Sequence, residues 1–114
     1  MVIRSDKCPV KDVCLREGKG TVNIKDLASA EDLYNHGRLF AQISVEPGHS
    51  IGLHAHEHER ELFYIIKGEG VYNDNGTEVT VGVGDVCICG DGETHCVENK
   101  GTELLQMVAL IIME

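Results

Sequence analysis

The amino-acid sequence predicts an all-β sandwich or barrel. From residue 38 onward, short stretches rich in β-branched and aromatic residues recur at near-regular spacing, and they amount to eight or nine strands. Of the 13 glycines, only Gly18 and Gly20 come before Gly37, so eleven fall from Gly37 onward, mostly between the stretches. Only one short segment has the signals of a helix. Short strands separated by turn residues are typical of all-β domains.

Residues 1–19 are predicted to form an irregular arm, and residues 20–114 to form a single barrel domain. No hydrophobic period is sustained in the arm, and Pro9 and Gly18 interrupt it. A chain of 114 residues is long enough for one hydrophobic core but not for two domains.

Two elements are predicted between the arm and the regular strands. Residues 21–25 alternate apolar and polar side chains, as an edge strand does. Residues 29–34 begin with a serine suited to cap a helix and continue with acidic residues, so they are expected to form one helical turn. Asn35, His36 and Gly37 would end this turn.

The remaining strands follow from alternation and from the turns between them. Asn and Gly accept the positive φ angles of tight turns, so residues 73–76 are predicted to be a hairpin turn. The predicted strands cover residues 38–45, 50–56, 61–67, 70–73, 77–81, 86–89, 94–98 and 103–113.

Two of these strands are apolar on both faces, over residues 62–66 and 104–113. A barrel interior takes only one face of a strand, and the other face would invite aggregation if it stayed exposed. A second copy of the chain is the expected cover, because a two-fold axis pairs a patch with itself. The sequence therefore predicts a homodimer, with cover by residues 1–30 of the same chain as the alternative.

Composition narrows the classes of function. The net charge of -9 argues against a nucleic-acid partner, which needs a basic surface. No apolar run reaches the ~18 residues of a membrane span, and the N-terminus lacks the apolar core of a secretory signal. Residues 1–25 are nevertheless basic, with six Lys or Arg against three acids, so this segment is expected either to lie across its own barrel or a partner's, or to be a solvated tail.

The five cysteines do not form a dense disulfide framework, which predicts a reducing, cytoplasmic location. Cys87, Cys89 and Cys96 are interpreted as small apolar residues of strands. A zinc site at these three, or at Cys8 and Cys14, is the weaker alternative because paired CxxC spacing is absent.

Four side chains form a candidate metal site. His54 and His56 are two residues apart, so on a strand both imidazoles point to one face. Glu61 opens the next predicted strand, and its carboxylate can return to that face. Imidazoles and a carboxylate on adjacent strands suit a first-row transition metal. His95 begins a later strand, and the barrel is expected to bring it in as the fourth ligand.

Two segments resemble the sequence motifs of the cupin family. The first motif is matched in every position by Gly48, His54, His56, Glu61 and Gly68. The second is matched by Gly84, Gly92, His95 and Asn99, with Gly90 where the family usually has proline.

The resemblance implies a double-stranded β-helix, the cupin-type jelly-roll barrel. It also implies that His54, His56, Glu61 and His95 are ligands of one divalent metal ion. Such a set leaves an octahedral metal two open positions, and Mn, Fe, Ni, Cu and Zn are not distinguished. His58 continues the two-residue period, so an alternative triad of three histidines without Glu61 can be drawn. The polar break at residues 57–60, where the chain must turn, favours a rim position for His58 instead.

The pocket around the metal is predicted from alternation. Phe63 and Ile65 share the face of Glu61, and Val97 shares that of His95. Arg38 and Gln42 lie on the polar face of their strand, which meets either solvent or a polar substrate. The candidates for auxiliary catalytic groups are His58, Arg60, Tyr64 and Tyr72.

Two functions remain open on the sequence. One is a metal-dependent enzyme of dioxygenase, isomerase, decarboxylase or lyase type acting on a small polar oxygen-bearing molecule. The other is a non-catalytic module that binds a small molecule or a metal ion. The cupin fold hosts several reactions and selects none of them.

Overall fold

A computed structural model describes all residues from Met1 to Glu114 and shows ten strands and one 3-10 turn. The turn covers Ser5–Lys7. The strands are β1 Val10–Val13, β2 Val22–Ala28, β3 Gly37–Val45, β4 Ser50–Ala55, β5 Glu59–Lys67, β6 Glu69–Asp74, β7 Thr77–Gly82, β8 Val86–Cys89, β9 Thr94–Glu98 and β10 Leu105–Met113.

The strands form two antiparallel sheets, which confirms the predicted all-β jelly roll. One sheet has six strands in the order β1-β2-β3-β10-β5-β8, and the other has four in the order β4-β9-β6-β7. The chain passes repeatedly from one sheet to the other. The predicted ligands on β4 and β5 therefore face each other across the barrel, and the expectation that they lie on adjacent strands was wrong.

The interior contains the apolar side chains that alternation assigns to it. On β10, Leu105, Met107, Ala109 and Ile111 point inward and are at most 4% exposed. Val108 and Leu110 point outward and are only partly buried. The core is completed by inward residues of both sheets, among them Val22, Ile24, Ala41, Ile43, Val45, Ile51, Phe63, Ile65 and Val97.

The N-terminal region is more regular than expected. Val10–Val13, predicted to be irregular, pairs with β2, so β2 is an inner strand and not the predicted edge. Residues 29–34 form hydrogen-bonded turns, so the short helical element lies at Ser5–Lys7 instead. The capping signal itself is present, since the Asp32 amide donates to Ser29 Oγ at 3.1 Å. The turns end where Tyr34 adopts a positive φ of 54°.

The segment between β1 and β2 lies across its own barrel, one of the two placements expected from its charge. The Ser50 amide donates to the Lys19 carbonyl at 2.9 Å, and the Gly52 amide donates to the Leu15 carbonyl at 3.1 Å. Lys19 also pairs with Glu98 at 3.3 Å. The segment thus covers the edge of β4, whose backbone would otherwise be unpaired there.

The hairpin turn between β6 and β7 is confirmed. Asn75 and Gly76 both have positive φ, 51° and 95°, which is the type I′ pattern of two-residue hairpin loops. Asn73 Oδ1 accepts the Gly76 amide at 2.7 Å. The 3-10 turn, the only helical structure in the chain, falls far short of the length and apolar character needed to cross a membrane.

Candidate metal centre

Four potential metal ligands meet inside the barrel. His54 on β4 pairs directly with His95 on β9. His56 follows the end of β4 and also turns inward, and Glu61 approaches from β5 in the opposite sheet. Their side chains are 1% to 8% exposed. The site therefore joins the two sheets and is almost closed to solvent.

The distances between the four donor atoms have a definite pattern. The Nε2 atoms of His54, His56 and His95 are 3.1 to 3.2 Å from one another. Glu61 Oε1 is 3.0 Å from His56 Nε2, 3.1 Å from His95 Nε2 and 3.8 Å from His54 Nε2. Five separations are thus short, and one is distinctly longer.

This pattern fits an octahedral metal better than a tetrahedral one. With ligands about 2.1 Å from the metal, neighbouring octahedral positions are about 3.0 Å apart, opposite ones about 4.2 Å, and tetrahedral ones about 3.4 Å. His54, His56, Glu61 and His95 would hold such an ion with five short separations and one long. An octahedral ion held in this way would have two further positions next to each other.

The other nitrogen of each imidazole determines which atom faces the centre. His54 Nδ1 lies 2.7 Å from the Gly52 carbonyl oxygen, which can only accept, so this nitrogen is the N–H donor. His56 Nδ1 is 2.5 Å from a Glu59 carboxylate oxygen and is a donor for the same reason. His95 Nδ1 is 2.7 Å from the Tyr72 hydroxyl. The Nε2 lone pairs of His54 and His56 therefore converge with the Glu61 carboxylate, an arrangement that a cation would stabilise.

The electrostatics agree with a cation site. Burial raises the pKa of the Glu61 carboxyl, but its contacts with the three imidazoles outweigh burial, and the net pKa is lower than usual. The same carboxylate raises the pKa of His56. Burial lowers the pKa of His95, despite its contact with Glu61. An ionised Glu61 and a neutral His95 are the forms that bind a metal. The four residues could hold one metal ion.

Comparisons with known proteins agree with this architecture. The family model for the cupin domain matches residues 41–112, which is more than half of the chain. The chain belongs to the cupin family. It is 46% identical over 114 residues to an oxalate-binding protein of Thermotoga maritima, with 99% of this chain and 94% of that protein covered.

Solved structures give the same result for the fold. A structure from Thermotoga maritima, described as a predicted oxalate decarboxylase, superposes with a TM-score of 0.96 at 44% identity and covers 100% of both chains. An RmlC-like cupin from Shewanella frigidimarina has a TM-score of 0.77 at 14% identity and covers 98% of this chain and 89% of that one. At 14% identity, the comparison with the Shewanella frigidimarina protein shows only that the fold is shared.

The second motif of this cupin departs from the family at Gly90 for a visible reason. The Gly90 amide donates to Glu93 Oε1 at 2.8 Å, a bond that proline could not make. Asn99, the last residue of the motif, is fully buried. Its amide donates to the carbonyls of Val45 and Glu103, so its role is to hold the turn before β10.

Several predicted pocket residues lie beside the ligands. Phe63 stacks on the His95 ring, with 5.3 Å between ring centroids and 12° between ring planes. Tyr72 is 4% exposed, and its hydroxyl contacts His95. Ile65 and Val97 share the predicted inward face, but both pack in the apolar core.

The remaining candidates do not reach the ligands. Tyr64 points to the outside of β5 and is 50% exposed, and Gln42 lies on the outer face of β3. Arg60 is exposed and lies near Gly90. His58 is in an exposed turn with a φ of 58°, where its amide donates to Asp91. Its ring contacts Glu114 rather than the ligand cluster, as the rim interpretation predicts.

Sequence reasoning missed Glu59, which links Arg38 to the site. The Arg38 guanidinium makes two bonds of 2.7 Å to the Glu59 carboxylate, whose Oε2 contacts His56. Arg38 is the main cause that lowers the Glu59 pKa to about 2. Alternation along the strand could have identified Glu59, because it lies two residues before Glu61 and therefore shares its face.

Cys87 and Cys89 lie on the inner face of β8 at 5% and 2% exposure. Burial raises the pKa of both thiols to about 11. Both are therefore neutral at pH 7 and serve as small core residues. Cys89 pairs across the strands with Glu61, but only the three histidines and Glu61 form the ligand cluster.

Proposed function

We propose that this cupin binds one divalent transition-metal ion through His54, His56, Glu61 and His95, and binds a small chelating dicarboxylate such as oxalate at that ion. The observation that carries the proposal is the set of donor separations, five short and one long. They leave two adjacent coordination positions, which is the arrangement that a bidentate ligand needs.

Charge supports a dianionic ligand. Three neutral imidazoles and one carboxylate leave a divalent ion with a charge of about +1. The nearly closed site has a low dielectric, so a negative ligand is attracted more strongly there than in water. The relative from Thermotoga maritima, 46% identical, is named an oxalate-binding protein, which supports the same class of ligand.

Binding without turnover is favoured over catalysis. An enzyme that cleaves a carboxylic acid needs an acid or base able to reach the bound molecule. The two polar groups that contact the ligand imidazoles are already engaged: Glu59 by Arg38 and His56, and Tyr72 by His95. Catalysis is the second candidate, because the Thermotoga maritima structure at 44% identity is described as a predicted oxalate decarboxylase. A bound metal would supply Lewis acidity in either case.

The test is metal analysis followed by calorimetric titration with oxalate. We expect one metal ion per chain and one oxalate per metal, with much weaker binding of acetate, which cannot chelate through two carboxylates. The metal-free His54→Ala variant is the control and should bind no oxalate. Oxalate binding unaffected by metal removal would contradict the proposal. Release of formate and carbon dioxide by the metal-loaded protein would favour the enzyme.

We also propose that the protein is a homodimer through the outer face of its six-stranded sheet. Nine apolar side chains lie there, and several are 37% to 57% exposed in the single chain. The segment between β1 and β2 lies at β4, and β1 lies at the edge of the sheet beside β2, so neither covers them. The outer apolar face consists of Phe40, Leu62, Tyr64, Ile66, Val86, Ile88, Val108, Leu110 and Ile112.

Charge does not prevent a second copy from binding at this face. Two chains of net charge -9 repel each other, but the outer apolar face consists of uncharged side chains, so no like charges meet there. Sedimentation of the wild type should give a dimer at micromolar concentration. Leu110→Lys should give a monomer or aggregate, whereas Val71→Lys on the outer face of the four-stranded sheet should leave the dimer intact. A monomeric wild type would contradict the proposal.

A further inference from the structure

We infer that Glu59 and Arg38 are positioning residues of the metal centre, acting on it through His56. The inference rests on the metal site of the proposed function and extends it. Arg38 Nε and Nη2 each lie 2.7 Å from one oxygen of the Glu59 carboxylate. Glu59 Oε2 is 2.5 Å from His56 Nδ1. A continuous set of charged hydrogen bonds thus runs from β3 through β5 to a ligand beyond the end of β4.

A β-bulge places Arg38 in this chain of contacts. Leu39 pairs with Ile111 and Gly37 with Ile112, so β3 has one residue more than β10 at this point, and that residue is Arg38. Regular alternation would keep Arg38 with Phe40 on the outer face. The bulge redirects the side chain instead, and the guanidinium reaches across β10 to Glu59. Bulges commonly redirect a side chain next to a functional site.

The environment of Glu59 shows that the contact is specific. Its side chain is only 14% exposed, whereas that of Arg38 is 43% exposed. A buried carboxylate is costly unless it is paired, and here both oxygens have cationic or N–H partners. A two-pronged Arg–carboxylate pair also holds the carboxylate in one orientation, which a lysine could not do.

Two consequences follow for the metal centre. First, the Glu59 carboxylate holds the proton of His56 on Nδ1, so Nε2 presents its lone pair to the metal in a fixed direction. Second, Arg38 holds the Glu59 carboxylate at His56 Nδ1, on the side of the ring away from the four ligand atoms. Without Arg38 this carboxylate could rotate, and the direction of the His56 lone pair would be less well defined.

The test is titration of the metal-free protein with Co²⁺, followed by its visible absorption. Removal of an outer partner typically weakens metal binding ~10–100-fold, and we expect this range for Glu59→Gln. Glu57→Gln is the matched control, because Glu57 is exposed in the same turn and carries the same charge. It should change Co²⁺ affinity little. Arg38→Met should alter the shape of the Co²⁺ spectrum, because the His56 ring is less firmly oriented when Glu59 is unpaired, and Arg38→Lys should be intermediate.

A second readout separates positioning from a general structural role. Nitrogen-correlated NMR of the metal-free protein reports which imidazole nitrogen carries hydrogen. In the neutral form of His56, reached at a pH above its raised pKa, we expect the hydrogen on Nδ1 in the wild type and in Glu57→Gln, and a mixture of tautomers in Glu59→Gln. If Glu59→Gln does not fold, the inference is tested by the Co²⁺ spectrum of Arg38→Met.

The outcomes distinguish this inference from the proposed function. A wild type that binds no Co²⁺ would overturn the metal site itself. A wild type that binds Co²⁺ no more tightly than Glu59→Gln, or Glu57→Gln and Glu59→Gln equally weakened, would overturn the positioning role alone. An unchanged Co²⁺ spectrum in Arg38→Met would also overturn it.

Discussion

The two ends of the barrel interior differ sharply in chemistry although the same strands build both. On β5, Ile65 lies at the apolar end and Glu61 at the metal end, with Phe63 between them. On β9, Val97 and His95 show the same change over two residues. Inward direction alone therefore does not define a core residue. Position along the strand decides whether an inward side chain packs or binds.

Residues that stabilise the fold and residues that form the metal site therefore lie at opposite ends of the same strands. Each large aliphatic side chain buried at the apolar end contributes about 1.5–3 kcal/mol. The metal end instead buries a carboxylate and three imidazoles, whose burial is unfavourable without partners. The apolar end is expected to stabilise the fold. This stabilisation offsets the unfavourable burial of the carboxylate and the imidazoles at the metal end.

The largest expected effect is on stability, from truncation at the apolar end. Met107 is fully buried, so Met107→Ala should lower the free energy of unfolding by about 2–5 kcal/mol. The folded protein should still bind one metal ion. Urea denaturation and metal analysis measure the two quantities. Val79→Ala, on β7 and 43% exposed, is the control and should cost much less. Loss of metal from folded Met107→Ala would show that the two ends are coupled.

The reverse effect is expected at the metal end. His95→Ala removes a direct ligand and should weaken metal binding more than the ~100-fold upper range for loss of an outer partner. The fold should survive, because the apolar end is untouched. Metal content and circular dichroism check these points, with exposed His36→Ala as the control. Unchanged metal content would show that His95 is not a ligand.

A smaller effect is expected from Tyr72→Phe, where the two ends meet. The change leaves His95 Nδ1 buried without a partner, which should cost about 1–3 kcal/mol of stability. Metal binding should weaken by about 10-fold, because the His95 ring loses its orientation. Calorimetry of unfolding and of metal binding measures both. Tyr64→Phe points outward and is the matched control. Equal effects of the two changes would contradict a special role of Tyr72.

The smallest effect is expected from His58→Ala. His58 is exposed and contacts Asp91 and Glu114 rather than the ligand cluster. Metal content and affinity should match those of the wild type. Metal loss would instead favour the triad of His54, His56 and His58 and would move the metal site to the rim of the barrel.

Local sequence patterns were enough to predict the fold class and which face of each strand points inward. Alternation with period two depends only on backbone pleating, so the inward positions of Glu61, Phe63 and Ile65 could be predicted. The turn at Asn75 and Gly76 was equally local, since it depends on the φ angles that these residues accept. The four candidate ligands were recognised through spacing and a family resemblance, and the cluster they form agrees with both.

How these faces combine depends on contacts between distant parts of the chain. The spacing of residues along the chain does not show which strands pair. For this reason β4 and β5 were expected to be neighbours, whereas they lie in opposite sheets. The strand at Val10–Val13 forms because it can pair with the edge of β2. Its four residues are too few for alternation of apolar and polar side chains to predict a strand. The bulge at Arg38 needs the register of β3 against β10, which sets where one extra residue falls. With this register, Arg38 contacts Glu59 and Glu59 contacts His56. Alternation of side chains along a single strand could not predict these contacts.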